Sequence, residues 1–326
     1  MNVDSLILGG GVAGLTAAHA LRRLGHKILL LEKAPELGGW ARHWACKADD
    51  ACLHCWACAA DRAVKHGEGL EWAGKVTDVE VTPRENGYGV KYRAGSGTGA
   101  GAGSREVEAA TLLVAIGFTP YRPAGPEASR FGYGTFPNVL TGEELEETLR
   151  QDGRLESRGK GPVSRVAFLQ CQGSRNVRLG RGYCSRVCCG YALRSAMALK
   201  HLDPSLSVTF FYMDVQLLGK DTTHHFPRFQ EAVRMIRGLP GEVFEEPDHR
   251  LSLSYDHEGA MVTELFDRVV LSVGMAPAED TGKLAGKLGL TLTEEGFLLP
   301  PDLSGRLFLV GACTGPKNIP QSILHA

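Results

Sequence analysis

The stretch Val3-Asp4-Ser5-Leu6-Ile7-Leu8-Gly9-Gly10-Gly11-Val12-Ala13-Gly14 decides the fold. Val3 to Leu8 reads as a buried strand, an Ala/Leu-rich helix follows to Leu24, and Ile28 to Leu31 reads as a second strand ending in Glu32. This is G-x-G-x-x-G between a strand and a helix, with an acid 23 residues after Gly9. The first glycine permits the tight turn, the second lets a pyrophosphate approach the backbone, and the third allows close helix-strand packing. Glu32 would accept hydrogen bonds from ribose hydroxyls. The motif alone is weak, but with this strand, helix and acid around it dinucleotide binding is favoured over a bare glycine turn.

Working outward, the doublet Gly38-Gly39 after Glu32-Lys33 is similar to the pattern of FAD enzymes of the glutathione-reductase type, in which the chain passes the flavin pyrophosphate a second time. Leu112-Leu-Val-Ala-Ile-Gly117 and Leu307-Phe-Leu-Val-Gly311 resemble two further signatures of that group. The second of these would bring a helix N-terminus, with its positive end, toward the isoalloxazine. The residues assigned to the cofactor on this reading are Gly9, Gly11, Gly14, Glu32, Lys33, Gly38, Gly39, Trp40, Val76, Ala115, Gly117, Gly311, Ala312 and Ile319. Ala312-Cys313 stands where the wider group usually has an Asp for the ribityl chain.

Val76 to Thr82, Tyr88 to Tyr92 and Glu106 to Glu108 suggest a small antiparallel meander. Its connection, Ala94 to Ser104, is almost all Gly, Ala, Ser and Thr and reads as a mobile hairpin tip without chemistry. Pro120 to Pro126 is a Pro-rich crossover into a second domain, whose strands are Arg165 to Leu169, Val208 to Met213 and Arg268 to Ser272. The order resembles the NAD(P)-binding insert of two-dinucleotide flavoproteins. The expected fold is therefore α/β, a flavoprotein with two dinucleotide-binding domains of the glutathione/thioredoxin reductase kind. Residues 1–120 and 279–326 form its FAD domain, and 121–278 an inserted NAD-like domain.

Where the insert's own G-x-G-x-x-G should follow its first strand, the chain has Cys171-Gln-Gly-Ser-Arg175, then Tyr183-Cys-Ser-Arg-Val-Cys-Cys-Gly190. Cys171, Cys184, Cys188 and Cys189 have the spacing C-x12-C-x3-C-C. With a helix from Arg186 to His201, Cys184 and Cys188 would share one face, and Cys171 at the strand's end would close a four-thiolate cage for an iron-sulfur cluster. Such an anion suits a helix N-terminus, and Arg175, Arg178, Arg181 and Arg186 add positive charge. The alternatives are zinc, which usually comes with two short Cys or His pairs, and unligated core thiols.

These stretches, with Gly311-Ala-Cys-Thr-Gly-Pro-Lys-Asn-Ile-Pro320, Phe131-Gly-Tyr-Gly-Thr-Phe-Pro-Asn-Val139 and Val270-Leu-Ser-Val-Gly-Met275, closely resemble the flavin and iron-sulfur A subunit of heterodisulfide reductase and its relatives in sulfur-metabolising electron-transfer complexes. The resemblance covers nearly the whole chain. It implies FAD, a [4Fe-4S] cluster, partner subunits B and C, a ferredoxin or another electron carrier, and a homodimer. It also implies that Arg194, where the family often has Lys, and Lys317 are cations that tune the flavin; the alternative for Arg194 is an exposed helix arginine.

Cys46-x5-Cys52-x2-Cys55-x2-Cys58 has a ferredoxin-like core without the following proline, and the family usually has fewer cysteines here. A second cluster is preferred; a redox-active dithiol and zinc stay open. His43, His54 and His66 read as solvated side chains, and His224-His225 as surface loop residues.

A 326-residue chain with 43% hydrophobic and 22% charged residues fits one or two α/β domains. A net charge of -1 argues against nucleic acid or an acidic membrane as the main partner. Only Met1-Asn2 precedes the first strand and no apolar run reaches the roughly 20 residues of a membrane span, so a cytoplasmic protein is expected. The chain stops soon after the helix expected to follow Gly311 would begin, and a continuation past Ala326 is expected. The function expected is electron transfer between flavin and cluster; the alternatives are an NAD(P)H-dependent disulfide reductase using Cys55 and Cys58, and a non-redox scaffold with structural FAD.

Overall fold

The computed structural model describes residues 1–43, 70–97, 103–155, 162–217, 220–300 and 305–326. Cys46, Cys52, Cys55, Cys58, His54 and His66 lie outside the described residues, as does 98–102 of the hairpin tip. The chain forms two compact units, one from Met1–Arg42, residues 70–119 and Pro277–Ala326, the other from Pro120–Ala276.

In the first unit, Asn2–Leu8 lies between Ile28–Leu31 and Gly103–Val114, parallel to both, and Leu70–Gly74 extends the sheet beside Ile28–Leu31. All four residues of Ile28–Leu31 are buried, as expected of a parallel strand covered on both faces. The alternation of side chains sorts them into two cores. Leu6, Leu8, Leu29 and Leu31 pack with Val90, Val107 and Leu112. Ile7, Ile28 and Leu30 pack with Leu15, Ala17 and Ala18 of the helix Val12–Arg23.

The meander is present as Thr77–Arg84, Gly87–Ala94 and Gly103–Val114, but its last strand is longer than expected. The segments expected separately at Glu106–Glu108 and Leu112–Val114 are one strand, antiparallel to Gly87–Ala94 at its start and parallel to Asn2–Leu8 at its end. No Gly or Pro interrupts Ser104 to Ala115, so nothing breaks the run. Leu307–Leu309 pairs parallel with its last residues.

In the second unit, five parallel strands run in the order Arg234–Arg237, Ser207–Tyr212, Arg165–Gln172, Arg268–Val273, Val139–Thr141. Phe168, Phe210 and Val270 face Leu193, Ala196 and Leu199 of the helix Cys188–Leu202. Leu169, Phe211 and Leu271 face Leu253, Tyr255 and Phe266 of an antiparallel three-stranded sheet. Each such fully buried large side chain contributes about 1.5–3 kcal/mol.

Two local expectations are corrected. Residues 220–232 are helical along the backbone, so His224-His225 is not in a loop. The helix after the cysteine loop begins at Cys188, not Arg186, because Arg186 has a left-handed backbone, φ 62°, that a helix cannot contain.

Candidate functional site

In the first unit, the turn from Leu8 into the helix is built by close backbone approach. A Cβ at Gly14 would overlap the Gly9 carbonyl oxygen, and one at Gly39 would lie 2.9 Å from the Gly11 Cα. Gly38 N–H donates to the Gly10 carbonyl at 2.7 Å, so the doublet is tied to the first glycine turn. The helix starts with Gly11 as its N-cap, with no side-chain cap and no acid in its first turn. Its first N–H groups therefore present positive charge, as a phosphate requires.

Glu32 is only 8% exposed, and both its carboxylate oxygens accept backbone bonds, from Gly10 N–H at 2.6 Å and from Ala34 N–H at 2.8 Å. Each oxygen keeps a further lone pair for a ribose hydroxyl. Sequence reading identifies Glu32 but not Gly10 and Ala34, whose backbone donors leave no residue-type signal. Glu32→Gln puts an amide N–H against a backbone N–H, and the lost charged bond of about 1.5–3 kcal/mol is expected to weaken FAD binding by roughly 10- to 100-fold. Flavin fluorescence titration of the apoprotein checks this; an unchanged Kd removes Glu32 from the site.

The other assigned residues are placed as follows. Ala115 lies against Gly9, and Gly117 has φ 68°. Trp40 donates from Nε1 to the Phe118 carbonyl at 2.7 Å. Val76 is buried, and its N–H is taken by the Glu32 carbonyl at 3.0 Å. Lys33 sits 3.7 Å from Asp280 at the surface. Gly311 to Thr314 form a 3-10 turn in which a Cβ at Gly311 would lie 2.5 Å from that of Ala13. The helix begins later than expected, at Ile319, with Asn318 and Gln321 forming a capping box. Lys317 donates from Nζ to Thr314 Oγ1 at 2.6 Å. Cys313 is buried, bonded to the Val114 and Val310 carbonyls, and burial pushes its thiol up to about 12.

In the second unit, Cys171 lies near the C-terminal end of the central strand Arg165–Gln172, next to the neighbouring strand Arg268–Val273. The register slips between Leu169 and Gln172, and Cys171 has φ 62°. Of seven non-glycine residues with positive φ among the described residues, Cys171, Arg175 and Arg186 belong to this one loop. Strain of this kind, about 1–3 kcal/mol each, persists only where surrounding bonds over-determine the backbone. Those bonds are present. Arg175 N–H donates to the Tyr183 carbonyl at 2.8 Å, Tyr183 Oη to the Met275 carbonyl at 2.8 Å, and Met275 N–H to Ser185 Oγ at 2.9 Å.

The loop gathers the four thiols. Cys171, Cys188 and Cys189 lie close enough to act on one another: Cys188 holds Cys189 down to about 7 and lowers Cys171, and these two neighbours hold its own thiol well above the ordinary range. Burial pushes Cys184 up. Cys184 is not one turn before Cys188 on a helix, as expected, but in the irregular loop before it, near enough for Cys189 and Cys171 to act on it.

Two backbone donors already face sulfur, Arg186 N–H to Cys184 Sγ at 3.4 Å and the Gln216 amide to Cys189. Arg175 pairs with Asp214, and its charge also acts on Cys171, Cys184 and Cys189. The helix Cys188–Leu202 has no acid in its first turn and no side-chain cap. Thiolate donors, N–H···S bonds, a cation and an uncapped helix N-terminus all suit an anionic iron-sulfur cluster. Among the described residues, no three Cys, His, Asp or Glu side chains converge as a single-ion site would require. Asp214 and Gln216 escape sequence reading because they follow the adjacent strand, far from the cysteines in the chain. Arg194 is neither exposed nor alone; its guanidinium donates to the buried Glu146 carboxylate, which also accepts from Ser195.

Comparison with known proteins bears on both sites. Residues 7–62 match the model of an NAD(P)-binding Rossmann-like domain. The A subunit of the H(2):CoB-CoM heterodisulfide,ferredoxin reductase of Methanothermobacter thermautotrophicus is 38% identical over 239 residues, 68% of this chain and 36% of that one. The iron-sulfur A subunit of the CoB--CoM heterodisulfide reductase of Methanocaldococcus jannaschii is 30% identical across 98% of this chain and 62% of its own. The chain belongs to the family of heterodisulfide reductase A subunits. It spans 36% and 62% of these two members' lengths. This chain's fold is that of the thioredoxin reductases: the enzyme of T. acidophilum superposes with a TM-score of 0.62 at 16% identity, over 99% of this chain and 95% of that one. The Lactococcus lactis enzyme gives the same score at 18% identity, with the same coverage. The α/β, thioredoxin reductase-like fold expected from the sequence is thus found.

Proposed function

We propose that the chain is an electron-transfer subunit of a heterodisulfide reductase-like complex, holding FAD on the Gly9–Gly14 cradle and a [4Fe-4S] cluster on Cys171, Cys184, Cys188 and Cys189. The observation that carries this reading is the thiol group itself. At the end of the central strand, where a phosphate-binding glycine loop would receive a nicotinamide cofactor, Cys171, Cys188 and Cys189 lie close together at a helix N-terminus. When bound, FAD supplies two-electron chemistry and the cluster one-electron chemistry.

The chain's own residues hold and tune. Gly11 and Gly39 give the pyrophosphate a bare backbone channel, Glu32 takes the ribose, and the uncapped N-termini face the two anions. The amides of Arg186 and Gln216 would offset thiolate charge, which favours the reduced state, while Arg175 is paired with Asp214. Lys317, in the unit of the glycine cradle, is the stronger candidate for tuning a bound flavin; Arg194 is held by Glu146, and its net field is correspondingly smaller.

The same reading includes a second cluster on Cys46, Cys52, Cys55 and Cys58. Its partners are subunits of the B and C type and a ferredoxin-like carrier, in cytoplasmic sulfur or heterodisulfide metabolism, with the chain as a homodimer. The names these relatives carry, with "ferredoxin" in one and "iron-sulfur" in the other, support it. Among the described residues no helix is long and apolar enough to cross a membrane.

The test is anaerobic purification with flavin, iron and sulfide counted together and EPR of the reduced protein. About one flavin and about four irons per chain are expected from the 171–189 thiols alone, and about eight irons with the second loop. Flavin without iron or acid-labile sulfide would sink the reading.

A further inference from the structure

Residues 173–187 carry Arg175, Arg178, Arg181 and Arg186 and no Asp or Glu, in a chain whose net charge is -1. Arg175 is neutralised by Asp214, and Arg181 lies over the Tyr121 ring at 4.7 Å. Arg178 and Arg186 are exposed. The tip is held in one shape. Asn176 N–H donates to the Arg181 carbonyl at 2.8 Å and Arg181 N–H returns to that of Asn176 at 3.0 Å, which pushes Val177 out to 85% exposure. Nothing in the loop's own packing requires an apolar side chain there. Beside the tip, a cleft of about 730 Å³ is bordered by Arg178 and by the exposed apolar side chains of Phe244 and Met261; its charges balance, with Glu127 and Glu242 against Arg130 and Arg178.

The thiols are graded in the same direction. Cys171, Cys188 and Cys189 are 8%, 2% and 3% exposed, whereas Cys184, inside the basic loop, is only half-buried. The thiol with most access to solvent thus lies in the loop that carries the exposed Arg178 and Arg186 and the apolar tip Val177. Charged rims around apolar anchors steer and seat protein partners, and the sign here selects an acidic one.

We propose that the 173–187 loop, with the cleft beside Arg178, is the docking surface for an acidic protein that carries a one-electron centre near its surface. This rests on the cluster reading above. With a reduced cluster on the four thiols, one electron would pass to the partner's oxidised centre docked on this loop, which would be reduced by one; no bond would form or break and no proton would move. Arg178 and Arg186 set the encounter rate, and Val177, Phe244 and Met261 set the seated complex.

The experiment measures stopped-flow electron exchange between the dithionite-reduced protein and an oxidised acidic [2Fe-2S] ferredoxin as probe, across a range of salt concentrations. Arg178→Glu is expected to slow the second-order rate about tenfold at low salt and to flatten its salt dependence. Val177→Glu is expected to slow exchange at every salt concentration. Neither touches a thiol, and both are expected to keep the wild-type iron content and EPR spectrum. Wild-type exchange rates and salt slopes in both variants, with iron present, would overturn the docking surface alone. If the variants instead alter only self-association by sedimentation, the surface pairs two copies of this chain and the proposal also fails. Absence of iron from the wild-type protein would remove the cluster reading and this surface together.

Discussion

Cys188→Ala is expected to lower iron from about four per chain to near zero at the 171–189 site, with loss of the corresponding EPR signal of the reduced protein. Cys188 acts on both Cys171 and Cys189, and it is 2% exposed. The fold itself should survive, because the deletion removes one buried sulfur, at a cost of about 1 kcal/mol. Flavin, held in the other unit, should stay near wild-type content. Cys313→Ala is the matched comparison: that thiol bonds only the Val114 and Val310 carbonyls, and its loss is expected to leave iron unchanged. Iron and sulfide assays on the two variants decide the matter; equal iron in both would dismiss Cys188 as a ligand.

The second large effect belongs to Gly14. Its added Cβ would meet the Gly9 carbonyl oxygen, which is backbone and cannot swing aside, with Ala115 Cβ at 3.4 Å behind. Relief requires the helix Val12–Arg23 to lift from the strand Asn2–Leu8, which opens the cradle and unpacks Leu15, Ala17 and Ala18. Gly14→Ala is expected to cost about 3 kcal/mol, roughly 6 to 12 °C in the melting of that unit, and to reduce bound flavin below about a tenth of wild type. Gly286→Ala, in the helix Thr281–Leu288 with open space around it, is expected to be neutral or stabilising by up to about 1 kcal/mol. Calorimetry with flavin absorbance measures both; a Gly14 variant that melts and binds like wild type would remove close packing as the reason for that glycine.

Much of this is readable from the residues because it rests on local pattern. A glycine triplet between strand and helix has few backbone solutions, and a run such as Ile28–Leu31 can only be a strand buried on both faces. The cysteine spacing likewise announces a shared purpose. Its geometry is not local: helical periodicity puts Cys184 and Cys188 on one face, but Arg186 turns left-handed and the helix waits until Cys188. The backbone there follows bonds from Tyr183 and Ser185 to Met275, some ninety residues on, and no local propensity contains them.

The sequence by itself determined the α/β class and singled out the glycine turn and the four cysteines of the second unit, since those depend on pattern within a strand-turn-helix unit. Only the tertiary structure decided how Glu32 is held, that Arg194 is tied to Glu146, that Asp214 and Gln216 reach Cys189, and which thiol faces outward. Those facts depend on which strand ends become neighbours in the sheet. That order is set by the burial of two hydrophobic faces over the whole unit, not by the residues at the site.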